Sequence, residues 1–201
     1  ALVAALAALA FFASLVAHEL AHSLLAHRYG VGVRGITLWM FGGVSELEGE
    51  MHSPQQELRM AAAGPATSFG IGAAMLLAAA LADALALPVL AVAALWWLGV
   101  VNVGLGVFNL LPAYPMDGGR VLRAALWARS GDRLEATRAS ARTGHWFAYG
   151  LIGLGALLAA TGGLVGGVWI MFIGWYLEGA SRGEAAAVVQ EAVLGHRRAD
   201  E

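Results

Sequence analysis

Long apolar stretches recur five times along this chain and constrain its fold more than any other feature. They run roughly over residues 1–26, 60–81, 89–111, 145–160 and 164–177. About 20 apolar residues cross a bilayer as a helix. The last two stretches are shorter and read as a membrane hairpin, separated by Thr161-Gly162-Gly163. In lipid every backbone N–H and C=O must be satisfied within the structure itself, so spans of this kind are helices. Only 13% of the 201 residues are charged and 59% are hydrophobic, against about 25% charged in a soluble domain. That balance excludes a soluble enzyme, a disordered chain and a nucleic-acid binder. The chain contains no cysteine, so a metal could be held only by His, Asp or Glu. Its 27 glycines suit helices that approach one another closely in a membrane.

The connections add detail. Val33, Ile36 and the run Thr37 to Phe41 are strand formers, Gly42-Gly43 follows, and Val44 to Glu48 alternate. This pattern predicts a short β-hairpin with a glycine turn. Ser53-Pro54 with Gln56 predicts a helix start, and Gly64-Pro65 a kink soon after it. The chain breaks again from Asn109 to Gly119, resumes as helix over 120–128, and passes through a polar surface helix or loop over 131–143. Residues 184–198 read as a solvent-side helix stopping near Gly195. The predicted fold is an all-α polytopic membrane protein with about five transmembrane segments and a small β-hairpin between the first and second.

All 12 basic residues are arginines. With five spans, every one falls on the same side: Arg28, Arg34 and Arg59, then the six from Arg120 to Arg142, then Arg182, Arg197 and Arg198. The loops near Asp83 and Gly162 have none. The positive-inside rule makes the arginine side cytoplasmic.

Charge inside a span costs roughly 2.5 to 3.5 kcal/mol per residue on insertion scales, so each case needs a reason. The first stretch contains His18-Glu19-Leu20-Ala21-His22. On a helix, residues i and i+4 share a face, so His18 and His22 can share one Zn²⁺, with Glu19 beside it as general base. A third ligand is required. His27 lies on the opposite side of the helix. Glu46, Glu48 and Glu50 have suitable spacing but read as the polar face of the hairpin. Asp117, at the end of the third stretch in a proline- and glycine-broken segment, is the better choice, although it also suits an N-cap. Asn109 could donate to a developing oxyanion or make an interhelical hydrogen bond. Asn102 reads as an interhelical partner, and His52, His145 and His196 as surface residues.

HELAH, the GGV of the hairpin, Ala63-Gly64-Pro65 and the NLLPAYPMDGGR run from Asn109 to Arg120 together resemble the site-2 protease family of intramembrane zinc metalloproteases. The likeness covers roughly residues 1–180 and is nearest to the bacterial and archaeal branch without a PDZ insertion. It implies one zinc per chain held by His18, His22 and Asp117, Glu19 as catalytic base, and Asn109 assisting the tetrahedral intermediate. It also implies a hairpin edge that receives substrate as an added strand. Against that branch, the expectation is that a first transmembrane segment and C-terminal CBS domains are missing.

These readings give one membrane-embedded protease domain over 1–201, with a catalytic core at 1–130, an accessory hairpin at 144–180 and a cytoplasmic tail at 181–201. The expected activity is cleavage of transmembrane segments of membrane-tethered regulatory proteins in a bacterial or archaeal cell membrane. Its partners are then the bilayer and a transmembrane substrate, with no nucleic acid. A transporter or channel using the same acids for ion or proton binding is the alternative, and a zinc-bearing but proteolytically silent scaffold is a further one.

Overall fold

The computed structural model describes the backbone of residues 1–39 and 42–199, and the side chains of residues 1–35 and 49–183. The elements are α1 (Leu2–Arg28), β1 (Gly32–Trp39), β2 (Gly42–Glu48), α2 (Pro54–Ala84), α3 (Val89–Asn109), α4 (Asp117–Ser130), α5 (Arg133–Ala160) and α6 (Leu164–Ala199). Helices α1, α2, α3 and α5, with the Leu164–Gly183 part of α6, are long and apolar enough to cross a membrane. The chain is an all-α polytopic membrane protein with, among the described residues, five such spans and a two-stranded sheet between the first two. It divides into two compact units, Ala1–Leu110 and Leu111–Glu201.

In the first unit α1 is inverted relative to a helix in water. Its buried residues are Ser14, His18, Glu19, His22, Ser23 and Ala26, one stripe at helical spacing. Leu2, Leu6, Leu9, Phe12, Val16, Leu20 and Leu24 are exposed, as lipid-facing side chains should be. The helix stops where Gly30 takes φ +80°, while Val31 N–H donates to the Ala26 carbonyl at 3.0 Å and Gly30 N–H to that of His27 at 3.0 Å. This is a Schellman ending, and its two flanking apolar residues, Ala26 and Val31, are buried in a cluster with Met51 and Met60.

Strands β1 and β2 pair antiparallel, with an irregularity between Val33 and Gly35. Gly42 pairs with Trp39 and Gly43 with Leu38. The two glycines therefore begin β2 rather than forming the turn, and residues 40 and 41 lie outside the described residues. Helix α2 starts as its sequence predicts: Ser53 is the N-cap, its hydroxyl accepting from Gln56 N–H at 3.3 Å, and Pro54 follows. The helix then runs on through Pro65. Its buried face includes Ala61, Gly64, Pro65, Ser68 and Gly72, mostly small residues. A Cβ on Gly72 would sit 3.1 Å from the Gly99 carbonyl, and one on Gly99 would sit 2.6 Å from Leu76 Cγ. Helices α2 and α3 thus meet through absent side chains.

In the second unit, residues 111–116 form successive turns and α4 begins at Asp117. Met116, not Asp117, is the N-cap, and Asp117 is the first helical residue. Gly131, with φ +75°, closes α4, and the rest of the polar stretch opens α5: Asp132 caps it, accepting from Leu134 and Glu135 N–H at 2.8 and 3.1 Å, and one helix runs from Arg133 to Ala160. Helix α6 likewise continues past the membrane span to Ala199, so the separate tail helix is its continuation. Helices α5 and α6 touch backbone to backbone, a Cβ on Gly155 lying 2.6 Å from the Gly167 carbonyl. His145 is half-buried, with Nδ1 3.5 Å from Glu178 on α6, and is not a free surface residue.

Candidate metal centre

His18 and His22 lie one helical turn apart on the buried stripe of α1, 3% and 5% exposed, with Glu19 between them at 5%. Their Nε2 atoms are 3.4 Å apart. Each ring is fixed from behind by α2. His22 Nδ1 is 2.7 Å from the Met60 carbonyl. A carbonyl only accepts, so Nδ1 carries the proton and Nε2 presents a bare lone pair. His18 Nδ1 is 2.9 Å from the Ser68 hydroxyl, itself fully buried. Backbone carbonyl and hydroxyl partners of this kind orient metal-binding imidazoles and raise their basicity.

The spacing tests the pair against zinc directly. Two nitrogens at the usual Zn–N distance of about 2.0–2.1 Å in tetrahedral geometry are separated by about 3.3–3.4 Å, and the rings already stand at 3.4 Å. Gly64 makes room for this arrangement. A Cβ there would lie 2.5 Å from His18 Nε2 and would also overlap His22 Nε2, so the space in front of both lone pairs is lined by glycine. The donor set and its geometry fit a zinc ion.

The remaining predicted residues are distributed as follows. Asp117 heads α4 in the second unit, with Gly118 and Gly119 buried behind it. Asn109 is the last residue of α3, and its side-chain Nδ2 donates to the Leu105 carbonyl at 3.0 Å. Asn102 is fully buried and donates to the Leu98 carbonyl at 2.8 Å, so its amide serves its own helix. His27 and His52 are exposed. Glu46 and Glu48 lie on β2, paired with Gly35 and Gly32, and their side chains, like His196, lie outside those described. Two further residues escaped the sequence reading: Ser68, and Glu57, a carboxylic acid only 1% exposed on the first turns of α2. Glu57 carried a signal, because an acid opening a membrane helix needs a reason. Ser68 carried little, since serine is common in such helices.

Residues 6–84 and 82–152 match the family model of peptidase family M50. The chain belongs to peptidase family M50. Among relatives of this M50 chain is Rip3 of Mycobacterium tuberculosis, named as a candidate zinc metalloprotease, which is 46% identical over 194 residues, covering 96% of this chain and 49% of that protein. The zinc metalloprotease MJ0392 of Methanocaldococcus jannaschii is 39% identical over 153 residues, covering 73% of this chain and 43% of the relative. The M50 chain thus spans about half the length of the curated relatives it matches. Among solved structures, a site-2 protease from Methanocaldococcus jannaschii superposes with a TM-score of 0.63 at 32% identity, covering 87% of this chain and 75% of that one.

Proposed function

We propose that this chain is the membrane-embedded domain of a zinc endopeptidase of the site-2 protease type. One observation carries the reading: two buried imidazoles with Nε2 atoms 3.4 Å apart, each held through Nδ1, on a helix whose other faces meet lipid. Transport, the other reading of intramembrane acids, needs no such pair, and the relatives are metalloproteases by name. Residues 1–130 form the catalytic core, 144–180 an accessory hairpin and 181–201 a tail.

His18, His22 and Asp117 would hold the ion, one per chain. Asp117 is the first helical residue of α4 and not its N-cap, a position held by Met116, which agrees with a role for its carboxylate other than capping. When bound, zinc would act as a Lewis acid that makes water a nucleophile near neutral pH. Glu19, dry and adjacent in sequence to the first histidine, takes the proton of the attacking water. It returns that proton to the amide nitrogen as the C–N bond breaks, leaving a carboxylate and an amine. Asn109 uses one N–H on Leu105 and has a second for the oxygen that gains charge. The β1–β2 edge would hold the substrate extended through main-chain hydrogen bonds. Substrates are therefore transmembrane segments with helix-loosening residues near the cut, on membrane-tethered regulatory proteins of a bacterial or archaeal cell membrane.

Glu19→Gln should retain zinc and lose cleavage of a model transmembrane substrate in vesicles by about 10²–10⁴-fold. His22→Ala and Asp117→Ala should lose both zinc and cleavage. Undiminished cleavage by Glu19→Gln would overturn the mechanism.

A further inference from the structure

Residues 111–116 and the first turn of α4 carry Asp117, and they are held on both sides of it by one serine of α5 and one of α6. Ser140 on α5 donates its hydroxyl to the Gly119 carbonyl at 2.8 Å, two residues after Asp117. Ser181 on α6 donates to the Tyr114 carbonyl at 3.4 Å, three residues before it. Both serines are fully buried.

These bonds are not what serine does by default on a helix. The ordinary choice is the carbonyl one turn back, and Thr137 and Thr143 on the same α5 make it, at 2.8 Å to Arg133 and 3.1 Å to Ala139. Ser140 and Ser181 instead reach across to another segment. The surrounding packing is shaped to allow it. A Cβ on Gly144 would lie 2.7 Å from Ser181 Oγ and 3.4 Å from Ala113 Cα, and one on Gly119 would lie 3.1 Å from Tyr114 N. Ala113, Tyr114 and Met116 are at most 3% exposed, and the Arg123 guanidinium covers the Tyr114 ring at 5.8 Å from its centroid.

We infer that Ser140 and Ser181 are positioning residues for the third metal ligand: α5 and α6 fix the backbone on each side of Asp117 through them, and so set the affinity of the site for zinc. This rests on the proposed role of Asp117. Outer-shell partners of metal ligands carry about 10–100-fold in affinity, and these two act through the backbone that bears the ligand.

The test uses the whole chain purified in detergent, with zinc affinity read by chelator competition and the ligand field by the visible spectrum of the cobalt(II)-loaded protein. Ser140→Ala and Ser181→Ala should each weaken zinc by about tenfold, and the double variant by about 100-fold, with a changed cobalt spectrum. Thr143→Ala, which removes an exposed self-bonded hydroxyl on the same helix, should leave both readouts at wild-type values. Ser140→Cys keeps the shape of the side chain with a somewhat larger end atom and donates only weakly; it should also weaken zinc and serves where the alanine variant does not accumulate. Wild-type zinc affinity in the double variant or in Ser140→Cys, with Asp117→Ala still losing zinc, overturns the positioning role alone. Wild-type zinc affinity in Asp117→Ala overturns the ligand assignment and this inference with it.

Discussion

His18, Glu19 and His22 are tolerable in a membrane helix because each is turned away from lipid and the imidazoles are hydrogen-bonded on arrival. The consequence is sharpest at Gly64. Replacing it with alanine ought to help the helix by roughly 0.5–1 kcal/mol on propensity grounds. Yet its Cβ would overlap both Nε2 atoms. Overpacking of two buried rings that α2 already holds costs about 1–3 kcal/mol, more than the propensity gain, so we expect Gly64→Ala to lower the melting temperature of the metal-free protein and to weaken zinc on the order of 10-fold or more, the range seen for disturbed metal surroundings. Equal zinc affinity would show that the two rings move apart at no cost. The HExxH spacing made the histidines legible in the sequence, because i and i+4 on one helix is a local rule. Ser68, the Met60 carbonyl and the clearance at Gly64 were not legible, because they come from α2, 38 to 50 residues away, and nothing local marks them.

Elements were legible where their ends carry chemistry of their own. Ser53-Pro54 starts α2 and Asn109 closes α3 as the sequence implies. The reading failed where it divided helices by polarity. Residues 133–143 are polar and 145–160 apolar, yet one helix contains both, because hydropathy reports the surrounding solvent and not the backbone. The end of α2 holds a different lesson. Ala86 sits at φ 52°, with its N–H on the Asp83 carbonyl at 2.9 Å and the Leu87 N–H on that of Ala82 at 2.9 Å. This is a Schellman ending in which alanine occupies the glycine position. A left-handed non-glycine residue costs roughly 1–2 kcal/mol, while glycine in the unfolded chain costs about 0.4–1 kcal/mol of entropy. Relief wins, so Ala86→Gly should raise stability by roughly 0.5–1 kcal/mol, visible as a higher melting temperature in detergent. A lower one would mean that the strain is already relaxed.

At the scale of the whole molecule the five spans make a statement about sides. The sequence partition puts every arginine on one side of five spans, and among the described residues five helices are long and apolar enough to cross a membrane. Some of those arginines have acquired other work: Arg123 is 5% exposed against Tyr114, and Arg182 is ion-paired with Glu178. The orientation signal therefore rests on residues such as Arg138 and Arg142, exposed on the first turns of α5. We propose that this end is cytoplasmic. The chain has no cysteine, so single cysteines report position without background. Ala84→Cys, at the last residue of α2, and Thr161→Cys, at the C-cap of α5, are exposed beside loops without arginine, and Ser130→Cys is exposed at the last residue of α4, next to Arg129. In intact cells a membrane-impermeant maleimide should label the first two and reach the third only after permeabilisation. Moderate neutralisation, Arg138→Gln with Arg142→Gln, should then leave a mixed population, because the charge bias that fixes the fourth span is reduced while the others remain. Labelling of Ala84→Cys and Thr161→Cys from opposite sides would instead break the five-span count, since an odd number of crossings would separate two loops that two spans now join.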